Sequence, residues 1–186
     1  TRDWYKEQVR ENEQIASKFG FNKVSKLKLA VAQKIKAYVK DSGFLFAMCS
    51  ATDSYDIALS AQNTDICERM YDGDPSEPGY QNKLDYSKCL AFHNFVIEPN
   101  PLTYEYSDID ATRTRKVPKN IDYFTLFEFS AKWDPVPTML CQNHTLTVRG
   151  FMGQTTSFNA SRIKPDVLVM GQLKSASEAR YIHGNL

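Results

Sequence analysis

The sequence lacks the features that define several large classes of protein. It has no run of about 18 apolar residues, so no membrane-spanning helix is predicted. It has no P-loop and no GxGxxG loop, the glycine-rich signatures of phosphate binding. The net charge is only +1, with 23 basic and 22 acidic residues, so there is no strong field to attract nucleic acid. We therefore expect neither a membrane-spanning nor a nucleic-acid-binding protein.

Cysteine is scarce and scattered. The four cysteines, at positions 49, 67, 89 and 141, form no CxxC pair and no Cys/His spacing typical of zinc sites. In a chain of 186 residues they do not indicate a disulfide scaffold, so mostly thiols are expected, with one bridge left open. No metal or other cofactor is predicted.

The composition is that of a globular domain. Hydrophobic residues make up 42% of the chain and charged residues 24%, which favours one domain over residues 1–186. Amphipathic periodicity predicts helices over residues 3–18 and 24–40, and a shorter one over residues 53–62. A loop is predicted over residues 71–88. Short strands are predicted at residues 91–97, 102–106, 122–133, 144–153, 167–170 and 179–183.

The segment "FLFAMC", residues 44–49, is continuously apolar. Such a run is typical of a strand buried on both faces, as in a parallel sheet covered by helices. Helix, buried strand, turn and helix together favour a three-layer α/β fold with a mostly parallel sheet. Cys49 would then lie at the carboxyl edge of a central strand, where ligands bind in open α/β sheets.

The residues around Cys49 read Ala47-Met48-Cys49-Ser50-Ala51, a small-x-nucleophile-x-small pattern. A nucleophile on a sharp strand-to-helix turn needs small neighbours, because strand and helix approach closely there. The positive end of the following helix would stabilise a thiolate. A buried cysteine that merely ends a core strand is the alternative, because cysteine is among the most buried residue types.

A cysteine nucleophile needs a base, normally histidine. The chain offers His93, His144 and His183. His183 lies at the end of the last predicted strand and is the preferred catalytic partner, although a lone histidine is more often structural.

The residues that follow Cys49 are candidates for binding the substrate. Backbone amides at Ser50 and Ala51 are predicted to form an oxyanion site. Asp53 is predicted to cap the third helix and is a further candidate to line the site. The acidic loop "DGDPSE", residues 72–77, is predicted to be a solvated turn, because it lacks the spacing of a calcium loop.

Several long motifs together resemble one bacterial family, catalogued as asparagine synthetase B. They are "FLFAMCSATDSYDIALSA", "DICERMYDGDPSEP", "DYFTLFEFSAKWDPVPTML", "QNHT", "RGFMGQTTSFN" and "EARYIHG". The likeness covers nearly the whole chain, as an interior-to-late part of a longer family member. It implies a flavodoxin-like domain of the class I glutamine amidotransferase kind, in which the elbow cysteine, here Cys49, is the nucleophile. The family's late histidine belongs to a segment after the "YIHG" motif, so the resemblance does not itself select His183.

The resemblance implies a cysteine-dependent hydrolase of carbon–nitrogen amide bonds. The alternative is a non-catalytic binding or accessory domain on the same fold, because fold does not fix function. Its ligand would be a carbohydrate or a partner protein, including another domain of the same protein. A small amide or sugar-like molecule is the expected small ligand. An extracytoplasmic, periplasmic location is implied by the resemblance, with the cytoplasm as the alternative.

Overall fold

The computed structural model describes residues 3–100, 102–103, 106–111, 120 and 157–169, together with the backbone of four further short strands. The chain groups into two compact units. The first unit comprises residues 1–90 and 96–106, and the second comprises residues 91–95 and 107–186. The single domain expected over residues 1–186 stays a prediction.

Two helices open the first unit, and both agree with the predicted ranges. Helix α1 spans Asp3–Lys18 and buries Ala16, and Gly20 follows it at a φ of +82°. Glycine reaches this left-handed conformation without a steric penalty, which is why it so often follows a helix. Helix α2 spans Val24–Lys40, with its lysines towards solvent.

Helix α3 spans Ala51–Ser60 and packs against α2. The Tyr55 hydroxyl donates a hydrogen bond of 2.9 Å to the Ala32 carbonyl and so links the two helices. Helix α3 begins two residues before its predicted start, and Ser50 occupies its N-cap position without a capping hydrogen bond from its side chain. The prediction that Asp53 caps the helix is therefore wrong. Part of the predicted loop is also helical, with α4 at Arg69–Asp72 and 3-10 helices at Tyr80–Lys83 and Tyr86–Lys88.

The apolar segment, residues 44–48, is not a buried strand. It has no strand conformation, and Phe44 is 76% exposed. The side chains of Leu45, Phe46 and Met48 are exposed as well. A strand buried on both faces needs a hydrogen-bonded neighbour on each side, and among the described residues none pairs with this segment. The prediction of a buried strand over residues 44–49 is therefore wrong.

The second unit contains short antiparallel strands. Strand β1, Tyr123–Leu126, lies between β2, Thr147–Arg149, and β4, Gly171–Leu173. Strand β3, Ser157–Asn159, pairs with β5, Tyr181–His183. The strands predicted over residues 122–133, 144–153 and 179–183 thus contain β1, β2 and β5.

Other predicted strands of this part of the chain differ from what is observed. Leu168 is 62% exposed and residues 167–169 form no strand, so the buried strand predicted over residues 167–170 is wrong. Phe92 makes an isolated antiparallel bridge to Ile163 instead of joining a regular strand. The core of this unit is aromatic, and the rings of Phe92 and Phe158 lie 5.6 Å apart.

All described strand pairs are antiparallel. The mostly parallel, three-layer flavodoxin-like sheet stays a prediction. Within the described part of the chain, no helix is both long and apolar enough to cross a membrane.

Candidate functional site

The turn at Cys49 has an unusual backbone. Cys49 adopts a φ of +56°, and Ser50 returns at once to helical angles, with φ −61° and ψ −19°. The Cys49 carbonyl accepts hydrogen bonds from the amide and the hydroxyl of Thr52, at 3.1 and 2.7 Å. The Ala51 amide donates to the Met48 carbonyl at 3.1 Å. These bonds fix the turn that leads from Cys49 into α3.

The positive φ at Cys49 is a strained conformation. Residues other than glycine seldom adopt it, because Cβ crowds the backbone. Among the described residues, the other non-glycine positions with positive φ are Ser42, which follows α2, and Asn94. Asparagine tolerates this region well, whereas cysteine has no such preference. A positive φ at a non-glycine residue just before a helix is one backbone feature of a nucleophile elbow. Of the predicted strand, turn and helix, the turn and the helix are observed, without the strand that was expected to precede them.

The three predicted substrate-binding residues differ in what they offer. Within the described ranges, the Ser50 amide has no hydrogen-bond acceptor, so it is available to an oxyanion. The Ala51 amide is already bonded to Met48. Asp53 is only 1% exposed, so its carboxylate is buried instead of facing solvent. The side chain of Cys49 itself is exposed.

The predicted catalytic histidine belongs to the second unit. His183 ends β5, where it pairs with Ser157, and its side chain lies outside the described residues. His144 and Cys141 also lie outside them. His93 is half-buried, and its amide donates to the Arg162 carbonyl at 2.8 Å.

Two other cysteines have environments that suppress reactivity. Burial, reinforced by the nearby Asp72 carboxylate, raises the pKa of the Cys67 thiol to about 12. Cys89 is buried, and its Sγ lies 3.3 Å from the Asp56 carbonyl, to which it donates. Because the thiolate is the nucleophilic form, neither resembles a reactive cysteine. Cys49 is the exposed thiol among the three.

The acidic loop is not simply a solvated turn, as was predicted. Asp74 pairs with Lys23, whose Nζ also lies 3.3 Å from Asp65. The hydrogen bond from Lys23 lowers the pKa of Asp74, whereas burial raises the pKa of Asp72, which is 6% exposed. In the described residues, no group of three or more His, Cys, Asp or Glu side chains is arranged to hold a metal ion.

Sequence reasoning missed a cavity of about 270 Å³ in the first unit. Its walls come from α2, α3 and two later segments, so no local motif marks it. Small side chains of α2 and α3 line it, together with aliphatic, aromatic and charged side chains of the two later segments. Cys49 is not among them.

Comparisons of the chain with protein-family models, with curated proteins and with solved structures found no match. The family resemblance described above is therefore an expectation that rests on the motifs alone. The geometry at Cys49 is the structural observation that bears on function.

Proposed function

We propose that the protein is a glutamine amidotransferase-like hydrolase that cleaves carbon–nitrogen amide bonds with Cys49 as its nucleophile. The observation that carries this proposal is the φ of +56° at an exposed cysteine immediately before α3. Strain of this kind persists only where the surrounding structure enforces it, and it is concentrated at functional sites.

The proposed reaction has two steps. The Cys49 thiolate attacks the amide carbonyl, the carbon–nitrogen bond breaks, and the nitrogen leaves as ammonia or an amine after taking up a proton. The thioester that remains is then hydrolysed by water, which releases a carboxylic acid and restores the thiol. No oxidant, metal or nucleotide is needed for either step.

The turn provides stabilisation for the negative charges that develop. The Ser50 amide is the proposed oxyanion donor, because the residue after the nucleophile supplies this donor in elbow enzymes. The amino-terminal end of α3, a helix of 10 residues, carries partial positive charge, which stabilises the negative charge that develops on the carbonyl oxygen during the attack. Ala51, two residues after Cys49, has a small side chain and therefore leaves room for the sharp turn.

His183 is the proposed base that removes the thiol proton and later protonates the leaving nitrogen. This assignment rests on the sequence position of His183 at the end of the last strand, near the carboxyl end of the chain. A His183→Gln variant is expected to lower the hydrolysis rate by about 100-fold or more, the usual contribution of general acid–base catalysis. His93→Gln is the matched control and is expected to retain the wild-type rate.

Chemical labelling tests the nucleophile directly. Wild-type protein is treated with iodoacetamide at pH 7, and alkylation of each cysteine is followed by mass spectrometry. An exposed reference thiol comes from Lys34→Cys in a Cys49→Ser background, because Lys34 lies on the solvent face of α2. We expect Cys49 to react about tenfold faster than the reference, and Cys67 to react more slowly than either.

Catalysis is measured as ammonia released from L-glutamine and L-asparagine. Cys49→Ser is expected to remove the activity, and Cys67→Ser to leave it unchanged. The enzyme proposal should be abandoned if Cys49 labels no faster than the reference thiol and the Cys49→Ser variant keeps the biological role of the protein.

A non-catalytic accessory domain is the second candidate function, and the exposed apolar segment favours it. Four large apolar side chains exposed within five residues are unusual on a solvated surface and are typical of a contact with another protein or domain. In that case Phe44→Glu with Phe46→Glu abolishes the biological role, and Cys49→Ser leaves it intact. The enzyme proposal predicts instead that Cys49→Ser abolishes it.

A further inference from the structure

The cavity of the first unit is built by small side chains on facing surfaces. Ser25 on α2, Ser54 and Ala58 on α3, and Ala61 just after α3 line it, where larger residues would fill the space between the helices. The cavity opens to solvent past exposed side chains such as Lys26 and Glu98, so it is a concave pocket and not a void in the core. Small-molecule sites are typically concave pockets with mostly apolar walls, and a volume of about 270 Å³ provides such a binding space.

The cavity has an apolar floor. Ile57, Ala61, Thr64 and Ile97 line it and are all buried. Leu29, Ile66 and Pro99 add further aliphatic surface. A floor of this kind binds carbon-rich groups, because it offers few partners for a strongly hydrated head group.

The rim of the cavity is aromatic and carries charges of both signs. Tyr71 and Tyr106 are partly exposed, and burial together with the neighbouring Tyr106 raises the pKa of Tyr71. The Tyr71 phenol is thus uncharged at neutral pH and is available as a hydrogen-bond donor. Two lysines, Lys26 and Lys28, and two glutamates, Glu68 and Glu98, also line the cavity. This mixed rim does not favour a ligand with one strong net charge.

We propose that this cavity binds a small, mainly apolar ring compound without net charge. An engineered apolar cavity of about 150 Å³ accommodates benzene. A cavity of about 270 Å³ therefore suits a one-ring or two-ring molecule. Cys49 does not line this cavity, so the proposal is independent of the amide hydrolysis proposed above.

Isoleucine methyl NMR provides a test in the intact chain. Ile57, Ile66 and Ile97 line the cavity, whereas Ile15 and Ile35 do not. The probe is indole, whose ring current shifts nearby methyl resonances. We expect saturable shifts at the three cavity methyl groups, with a dissociation constant on the order of 1 mM or tighter, and no comparable shifts at Ile15 and Ile35.

Two alanines, Ala58 on α3 and Ala37 on α2, give a matched pair of variants. Ala58→Phe fills the cavity and is expected to weaken indole binding at least about tenfold, because the ring and the new side chain compete for one volume. Ala37→Phe adds the same side chain at an exposed position that does not line the cavity, and it is expected to bind indole as the wild type does. If Ala58→Phe does not fold, Ser54→Leu, one turn earlier, narrows the same cavity.

Indole-3-acetate and tryptamine, which carry opposite charges on the same ring, test the mixed rim. Both are expected to bind more weakly than indole. The proposal is overturned if indole shifts the cavity methyl groups no more than Ile15, if a folded Ala58→Phe variant binds indole like the wild type, or if one charged probe binds at least about tenfold more tightly than indole.

Discussion

At the residue scale, Cys49 combines an exposed thiol with a backbone angle that its side chain disfavours. The cost of holding a non-glycine residue in such a region is of the order of 1–3 kcal/mol. If the function requires the Cys49 thiol, that requirement explains why glycine does not occupy position 49. The sequence pattern around Cys49 suggested a sharp turn, but only the structure shows which residue has the positive φ.

Replacement of Cys49 by glycine tests this strain. Cys49→Gly is expected to stabilise the fold by up to about 1 kcal/mol relative to Cys49→Ala, because alanine retains the Cβ that crowds the backbone. For a protein of this size, that is a rise in melting temperature of about 2–4 °C, measurable by calorimetry. An alanine variant at least as stable as the glycine variant would show that the angle is not strained.

Asp72 and Asp74 form a second residue-scale test, because their pKa values shift in opposite directions. Burial raises the pKa of Asp72 above its ordinary value of 3.8, so folding becomes less favourable as the pH rises from that value through the folded pKa. Asp72→Asn is therefore expected to stabilise the protein at pH 7 by about 1 kcal/mol, the scale of one poorly solvated buried polar group. At pH 3 the difference from wild type should disappear.

The Asp74 carboxylate shows the opposite pH dependence. Its bond with Lys23 lowers its pKa, so its stabilising contribution is present above pH 3.8 and is lost as the pH falls through the folded pKa. Asp74→Asn is expected to lower the melting temperature at pH 7, and the difference from wild type should shrink on acidification. Urea titrations of both variants at pH 3 and pH 7 measure the change in the free energy of unfolding relative to wild type. If both variants change this free energy in the same direction at pH 7, the prediction is wrong.

At the element scale, packing and a hydrogen bond from Tyr55 to the Ala32 carbonyl hold α2 and α3 together. These helices also carry the cavity and the Cys49 turn, so their contact positions both candidate sites. Helical periodicity in the sequence placed α1 and α2 correctly, because an apolar stripe with charged residues opposite is a strong local signal. The cavity gave no such signal, because its walls meet only after the segments pack.

Removal of the interhelical hydrogen bond is expected to weaken this contact. Tyr55→Phe should destabilise the protein by about 1 kcal/mol, because it removes the hydroxyl donor to the Ala32 carbonyl while the ring is kept. Tyr38→Phe on the exposed part of α2 is the control and is expected to have no measurable effect. Equal effects of the two variants in urea denaturation would show that the bond does not stabilise the contact.

At the scale of the whole molecule, the chain passes three times between the two units, after residues 90, 95 and 106. Such interleaving favours cooperative unfolding, because neither unit is one continuous piece of chain. We compare one fully buried core residue from each unit, Leu59 from the first and Phe95 from the second.

We expect the protein to unfold in a single transition, and each core variant to lower the temperature of that transition. Leu59→Ala should cost about 2–5 kcal/mol and Phe95→Ala about 3–5 kcal/mol, because each leaves a cavity in a packed core. Differential scanning calorimetry distinguishes the alternatives. Two transitions, with each variant shifting only one of them, would show separate domains and contradict the single domain predicted from composition.

The sequence by itself determined α1, α2 and the existence and approximate position of α3, because helical hydrogen bonds and apolar periodicity are local. The small residues on either side of Cys49 also made it the candidate nucleophile. Tertiary structure alone decided that residues 44–48 are exposed, because a strand forms only where other strands pair with it, and the sequence of one segment does not record its neighbours. Tertiary structure likewise decided the ion pairing of Asp74, the burial of Asp72 and the cavity, since each depends on segments far apart in the chain.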